Sequence, residues 1–271
     1  MEGGVNLNTV LKYPGAKNRL AHWIIEYIPE HDVYLEPFFG SGAIFFNKTQ
    51  AKIETINDLN GEVINYFRVL RNNASELINS ILLTPYGRDE YFAAYEINEN
   101  DSDVERARKF AVKCWQGFGC SNVYRNGFRS SQQSNSPITT KAWSEFPETL
   151  KLASERLKQA QIENLPAEEL LERYNTKDVF VYADPPYLHS TRKNYLYKHE
   201  MRDSEHEELL SILTKHPGKV LLSGYENDMY NNYLKGWNKA YKKTTAEQGL
   251  KRTEVLWMNY EPVNKQIDLI I

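Results

Sequence analysis

Val179-Phe180-Val181-Tyr182-Ala183 runs directly into Asp184-Pro185-Pro186-Tyr187, and the reading of this stretch decides the fold. The first five residues are β-branched, aromatic or small and carry no charge, as befits a strand buried on both faces of a parallel sheet. The sheet ends at the prolines. Each proline fixes its own φ, lacks a backbone N–H and drives the preceding residue away from helix, so the chain leaves stiff and extended. One carboxylate, one carbonyl and one aromatic face are thereby held together at the carboxyl end of a strand, the edge at which open α/β sheets bind ligands.

Such a grouping suits a particular chemistry. The exocyclic amine of a nucleobase is a poor nucleophile because its lone pair is delocalised into the ring. When the Asp184 carboxylate and the Pro185 carbonyl each accept one amine hydrogen, the nitrogen becomes pyramidal and can face a sulfonium methyl while Tyr187 stacks on the base. Neither a metal nor a covalent intermediate is called for. The plainer reading of the tetrapeptide is a rigid strand-to-loop connection, and the segments upstream weigh against it.

Those segments begin with Tyr13-Pro14-Gly15-Ala16-Lys17, a turn followed by a helix from Arg19 to Tyr27 whose apolar residues recur at helical intervals. Asp32 to Leu35 reads as a strand, ending in the Gly40-Ser41-Gly42 turn and a helix through Ala43, Ile44, Phe45 and Phe46. Glycines let a backbone approach a ligand closely. Asp58 stands eighteen residues past Gly40, just after the strand-like Ile53-Glu54-Thr55-Ile56, where dinucleotide-binding folds place an acid on ribose hydroxyls. Its rival role is to cap a helix from Asn60 to Leu70.

Composition sets the bounds. A chain of 271 residues with 41% apolar and 25% charged residues is an ordinary globular chain able to bury a sizeable core. It holds no apolar run long enough to span a membrane and no signal-peptide layout at its start. Two cysteines, Cys114 and Cys120, fit neither a disulfide framework nor a zinc site, which points to a reducing cytoplasm. The net charge of −3 is unusual for a nucleic-acid binder, but the charges are polarised. Between Arg106 and Ser144 there is no acid, while Arg106, Arg108, Lys109, Lys113, Arg125, Arg129 and Lys141 are all basic, a pattern that fits either one polyanion-facing surface or an ordinary solvated cluster.

From Gly61 to about Lys158 the apolar spacing is helical, interrupted by Gly117 to Thr140, which is rich in Gly, Ser, Asn and Gln around Tyr124, Arg125, Phe128 and Arg129. Arginine can be bidentate to guanine and amides to adenine, so this composition suits a loop or hairpin entering a DNA groove; a floppy surface loop is the alternative. The remainder reads as a short strand at Gln161 to Asn164, a helix entered at Pro166, a polar loop from Leu188 to Arg202 that could close over a flipped base or touch phosphate, and a helix through Leu209, Leu210 and Leu213. Strands follow at Lys219 to Ser223, near Glu254 to Asn259 and at Gln266 to Ile271.

Five segments in one order carry a resemblance: Leu11 to Lys17, Leu35 to Gly42, Asn57-Asp58-Leu59-Asn60, Asp184 to Tyr187, and Arg252-Thr253-Glu254-Val255-Leu256. Together they resemble the Dam-type DNA adenine methyltransferases. The resemblance implies an α/β fold with a mainly parallel central sheet of the Rossmann-like methyltransferase type and a helical target-recognition insert. It divides the chain into a cofactor-binding part at 1–60, the insert at 61–158 and a catalytic part at 159–271. It also implies methyl transfer from S-adenosyl-L-methionine to the 6-amino group of adenine in double-stranded DNA, with the base extruded from the duplex. Asp184, Pro185, Pro186 and Tyr187 would be catalytic. Tyr13, Lys17, Glu36, Phe38, Gly40, Gly42, Asp58 and Asp184 would hold the cofactor, with Lys17 near its carboxylate. Lys113, Arg125, Asn126, Arg129, Lys141, Arg192 and Arg252 would meet DNA. The expected partners are duplex DNA and a separately acting restriction endonuclease, with the chain a monomer or weak dimer. Methylation of the 4-amino group of cytosine or of RNA, and a catalytically silent DNA-binding module, are the alternatives that the residues leave open.

Overall fold

The structure is a computed structural model that describes residues 7, 9–119, 125–134, 138–191, 197–245 and 251–262. Its strands are β1 (Val33–Glu36), β2 (Ile53–Asn57), β3 (Ala160–Glu163), β4 (Val179–Ala183), β5 (Lys219–Tyr225), β6 (Asn238–Thr245) and β7 (Lys251–Met258). They form one sheet in the order β3-β2-β1-β4-β5-β7-β6. The first five are parallel and the last two join antiparallel. The strand order reverses between β1 and β4, which makes the space beyond their carboxyl ends the topological switch point.

Strand alternation divides the interior in two. Tyr34, Phe180, Tyr182, Leu221 and Leu256 face one core, shared with α1 (Ala21–Ile25), α2 (Gly61–Asn72), α5 (Asp103–Gln116) and α6 (Thr139–Leu157). Leu35, Val179, Val181, Leu222 and Val255 face the other, shared with α7 (Ala167–Arg173), α8 (Asp203–Lys215) and α9 (Asp228–Tyr233). Because successive side chains point to opposite faces, Glu36, Asp184, Ser223 and Glu254 all share the face of Tyr34, Tyr182, Leu221 and Leu256. Four polar residues, three on β1, β5 and β7 and one directly after β4, thus lie on the same face of four neighbouring strands.

The helices α2, α3 (Ala74–Leu82), α4 (Arg88–Ala93), α5 and α6 fill the connection between β2 and β3, which pair directly and parallel. Phe67 and Leu70 of α2, Trp115 of α5 and Phe146 of α6 join the same buried cluster as Phe39 and Tyr182, so this helical segment shares the core of the sheet.

Several expectations need correction. The helix anticipated after Gly42 is only a pair of turns, in which Phe46 N–H donates to Gly42 O and Lys48 N–H to Ile44 O, both at 2.9 Å. Phe39, Phe45 and Phe46 there pack edge to face and tilted against one another and against Phe67, a packing that replaces a regular helix. Strand β6 was not anticipated, because Asn238-Lys239-Ala240-Tyr241-Lys242-Lys243 is polar; as an edge strand it needs little apolar content, and its lysines discourage further pairing. The strand expected at Gln266 to Ile271 lies outside the described residues. The acid-free stretch is not a free basic face either. Acids outside that stretch neutralise three of its cations: Arg106 pairs with Glu62, Arg108 with Glu90 and Glu105, and Lys109 with Asp101.

Candidate active site

Tyr13, Lys17, Glu36, Phe38, Gly40, Asp58, Asp184 and Pro186 line one cleft at the switch point, with about 730 Å³ of open space that includes its solvent-facing mouth. Tyr197, His199 and Met201, from the polar segment after Asp-Pro-Pro-Tyr, form part of its wall. The reason these residues meet is local. Glu36 ends β1, Asp184 follows β4, and Asp58 follows β2, so three parallel strands deliver three carboxyls to the same end of the sheet.

Asp184 is held from two sides. Lys17 Nζ donates to its Oδ2 at 2.8 Å and Ser223 Oγ to its Oδ1 at 2.8 Å. Lys17 also donates to Gly15 O at 2.9 Å. Its counterpart is therefore Asp184 itself. Burial pulls the Lys17 ammonium down, but Asp184 and Glu254 outweigh it and hold its pKa above the usual lysine range. Glu36 is buried, which pushes its carboxyl well up, while the Tyr34 hydroxyl donates to it at 2.7 Å and works the other way.

Asp58 accepts Gly40 N–H and Asn60 N–H, each at 2.8 Å. The cap of α2 is Asn60, whose side chain accepts Glu62 N–H at 3.1 Å, so the capping role weighed for Asp58 belongs to its neighbour. Burial raises Asp58 to about 6 against the two backbone hydrogen bonds that lower it. Gly40 has φ +49° and a Cβ there would come within 3.2 Å of the Tyr13 ring. Gly42 does not line the cleft: a Cβ at its φ of +69° would meet the Phe39 ring at 2.5 Å, so its bareness serves packing beneath the cleft.

Tyr187 does not line the cleft itself but sits against Lys17, which does. Its hydroxyl donates to Glu254, its ring meets Tyr225 edge-on at 4.7 Å, and Lys17 Nζ lies 4.8 Å from its centre. Pro185 is buried beside it. Ser223 and Glu254 had no site role assigned from sequence; the available signal was a serine after the apolar Val220-Leu221-Leu222 run and a glutamate directly before the apolar Val255-Leu256-Trp257-Met258 run.

Among the cations expected at DNA, Arg125 is exposed and stacks over Phe92 at 4.7 Å. Arg129 and Asn126 share its segment, which closes back on α5 through Phe118 N–H to Gly127 O at 2.7 Å and Arg129 N–H to Gln116 O at 2.8 Å. Asn126 O accepts the Tyr91 hydroxyl at 2.7 Å. Lys113 is half-buried and burial lowers its pKa; Lys141 makes an exposed 3.7 Å pair with Glu145. Arg252 lies over Tyr225 at 5.6 Å, beside Tyr187. Arg192 lies outside the described residues.

A family model described as D12 class N6 adenine-specific DNA methyltransferase matches residues 13–249. A type II methyltransferase of Lactococcus lactis subsp. cremoris is 29% identical over 94% of this chain and 96% of its own length. Another type II methyltransferase, from Methanocaldococcus jannaschii, is 28% identical over 92% of this chain and 98% of its own. A DNA adenine methylase of Vibrio cholerae is 27% identical over 68% and 67% respectively.

Proposed function

Because the chain belongs to the D12 class of N6 adenine-specific DNA methyltransferases, we propose that the switch-point cleft holds S-adenosylmethionine and that Asp184 receives the adenine amine at its rim. The observation that carries this is that Glu36, Asp58, Gly40, Lys17 and Asp184, from segments far apart in sequence, line a single cavity. Asp58 suits ribose hydroxyls, since its backbone hydrogen bonds leave further lone pairs on each carboxylate oxygen. Phe38 and Tyr13 offer aromatic faces beside it. When bound, the cosubstrate supplies a sulfonium methyl.

On the protein side, Asp184 and the Pro185 carbonyl accept the two amine hydrogens and localise the nitrogen lone pair toward the methyl. Lys17 and Ser223 fix the orientation of Asp184 for that task. Extruding the base costs about a few kcal/mol, and stacking on Tyr187 offsets about 1–3 kcal/mol of it. The helical segment 61–158 is assigned to target recognition, with Arg125, Asn126 and Arg129 presented on one short segment and Lys113, Lys141, Arg192 and Arg252 contacting the backbone. A monomer or weak dimer acting in the cytoplasm is the matching assembly. The type II designation of two relatives supports a separately acting restriction endonuclease as its counterpart. Among the described residues no helix is long and apolar enough to cross a membrane.

The test combines calorimetry with nucleoside mass analysis. The protein binds S-adenosylmethionine, Asp58→Ala weakens that binding at least about tenfold, and treated duplex DNA yields N6-methyladenine. N4-methylcytosine, methylated RNA, or undiminished binding by Asp58→Ala would each break the assignment.

A further inference from the structure

Outside the Asp-Pro-Pro-Tyr segment, a second carboxylate enters the same hydrogen-bonded group. Glu254, on β7, has a side chain only 3% exposed; its Oε1 accepts the Tyr187 hydroxyl and lies 3.8 Å from Lys17 Nζ. Lys17 bridges from there to Asp184 Oδ2 at 2.8 Å. The antiparallel pairing that brings Glu254 in also sets it opposite Tyr225, whose ring meets the Tyr187 ring at 4.7 Å and 71°. Tyr187 is therefore held at its hydroxyl by Glu254, by a T-shaped contact with Tyr225 and over its face by Lys17.

A carboxyl is an expensive choice for this position. Burial, aided by Asp184, lifts Glu254 to about 7 against the lowering effects of Lys17 and the Tyr187 hydroxyl. An apolar residue of similar size would fill the space without that cost. What an apolar residue cannot do is accept a phenol proton and share an ammonium.

Resting on the assignment of Asp184 and Tyr187 to the adenine pocket, we propose that Glu254 is a positioning residue for both. Its acceptor fixes the two side-chain dihedrals of Tyr187 and so the plane of the ring offered to the base. Its charge shares Lys17 with Asp184, so that Asp184 Oδ2 is not the sole counterion of the ammonium and keeps a lone pair for an amine hydrogen. The strand outside the motif thereby keeps the amine acceptor and the stacking ring in register with each other.

The experiment measures methylation kinetics, S-adenosylmethionine affinity and thermal melting at pH 8 for Glu254→Leu, Tyr187→Phe and the double variant. Glu254→Leu removes the acceptor and should lower kcat by about 10- to 100-fold, as expected for a hydrogen bond to a charged group, with cofactor affinity within about threefold of the parent. The double variant should be no slower than the slower single by more than about threefold, because the phenol–carboxylate bond is already lost in each. Melting should not fall at pH 8, since the substitution removes a buried carboxylate. A kcat within about threefold of the parent, losses that multiply in the double variant, or a rate loss explained by unfolded protein would overturn the role. Should Glu254→Leu fail to fold, Tyr187→Phe breaks the same bond from its other end, and a normal kcat there refutes the proposal. Normal turnover by Asp184→Ala would overturn the pocket and this role together; normal turnover by Glu254→Leu beside an inactive Asp184→Ala overturns the role of Glu254 alone.

Discussion

Two buried ion networks sit at opposite ends of the sheet, and they are built on opposite balances. At the amino ends of β1 and β2, Glu54 accepts from Lys48 at 2.6 Å, from Arg156 at 2.8 Å and from Ala51 N–H at 3.1 Å. Lys48 lies 4.0 Å from the Tyr34 ring centre and Arg156 3.9 Å from that of Phe45. Two cations close on one carboxylate, and aromatic faces take up the excess charge. At the carboxyl ends, one cation, Lys17, faces Asp184 and Glu254, with the buried carboxyl of Glu36 nearby. The first network is saturated. The second sets two carboxylates against one cation, a surplus of negative charge beside the proposed place of the sulfonium.

The largest expected effect is on that second network. Asp184→Ala should cut methylation by at least about 10³-fold while DNA binding persists, because under the proposed assignment it removes an acceptor of the amine hydrogens; substantial turnover in single-turnover assays would refute the role. Breaking the saturated network should act on stability alone. Glu54→Gln leaves Lys48 and Arg156 without their charge partner and should cost about 3 kcal/mol in denaturant melts, with kcat/KM of the folded protein unchanged. A third change leaves both networks intact: Arg125→Ala or Arg129→Ala should weaken DNA binding by about 1–3 kcal/mol or relax site preference, with S-adenosylmethionine affinity retained. Loss of cofactor binding instead would misplace the recognition segment.

The smallest effect is a pH dependence of opposite sign at the two ends. Arg156 and Lys48 overcome the burial of Glu54 and hold its pKa below 4.5, so its contribution to stability is present above that value and is lost as pH falls through the depressed one. Burial holds Asp58 near 6 and Glu254 near 7, so their contributions are present below the ordinary carboxylate range and are lost as pH rises through 6 and 7. Melting of the ligand-free protein should therefore decline from about pH 5 toward pH 8, and Glu254→Gln should flatten the upper part of that decline. A stability that rises steadily to pH 8 would contradict the balance assigned to the cleft.

Much of this architecture was legible in the chain itself. The uncharged run before Asp184 set β4 to the residue, because a strand buried on both faces is built mostly from apolar side chains. The ordered motifs at Tyr13, Gly40, Asp58 and Asp184 placed the cleft, since parallel strands deliver their carboxyl ends to one edge of a sheet whatever lies between them. Tertiary structure decided the rest. Gly42 serves the packing of Phe39 and Phe46, and the cationic run around Arg106 is neutralised by Glu62, Glu90 and Asp101 from other segments, partners that sequence spacing does not pair. Strand β6 exists because β7 offers an open edge, and Glu254 reaches Tyr187 only because β7 runs antiparallel beside β5. Local pattern determines what an element buries; which charge meets which depends on the register between strands, and register is settled only when the whole sheet closes.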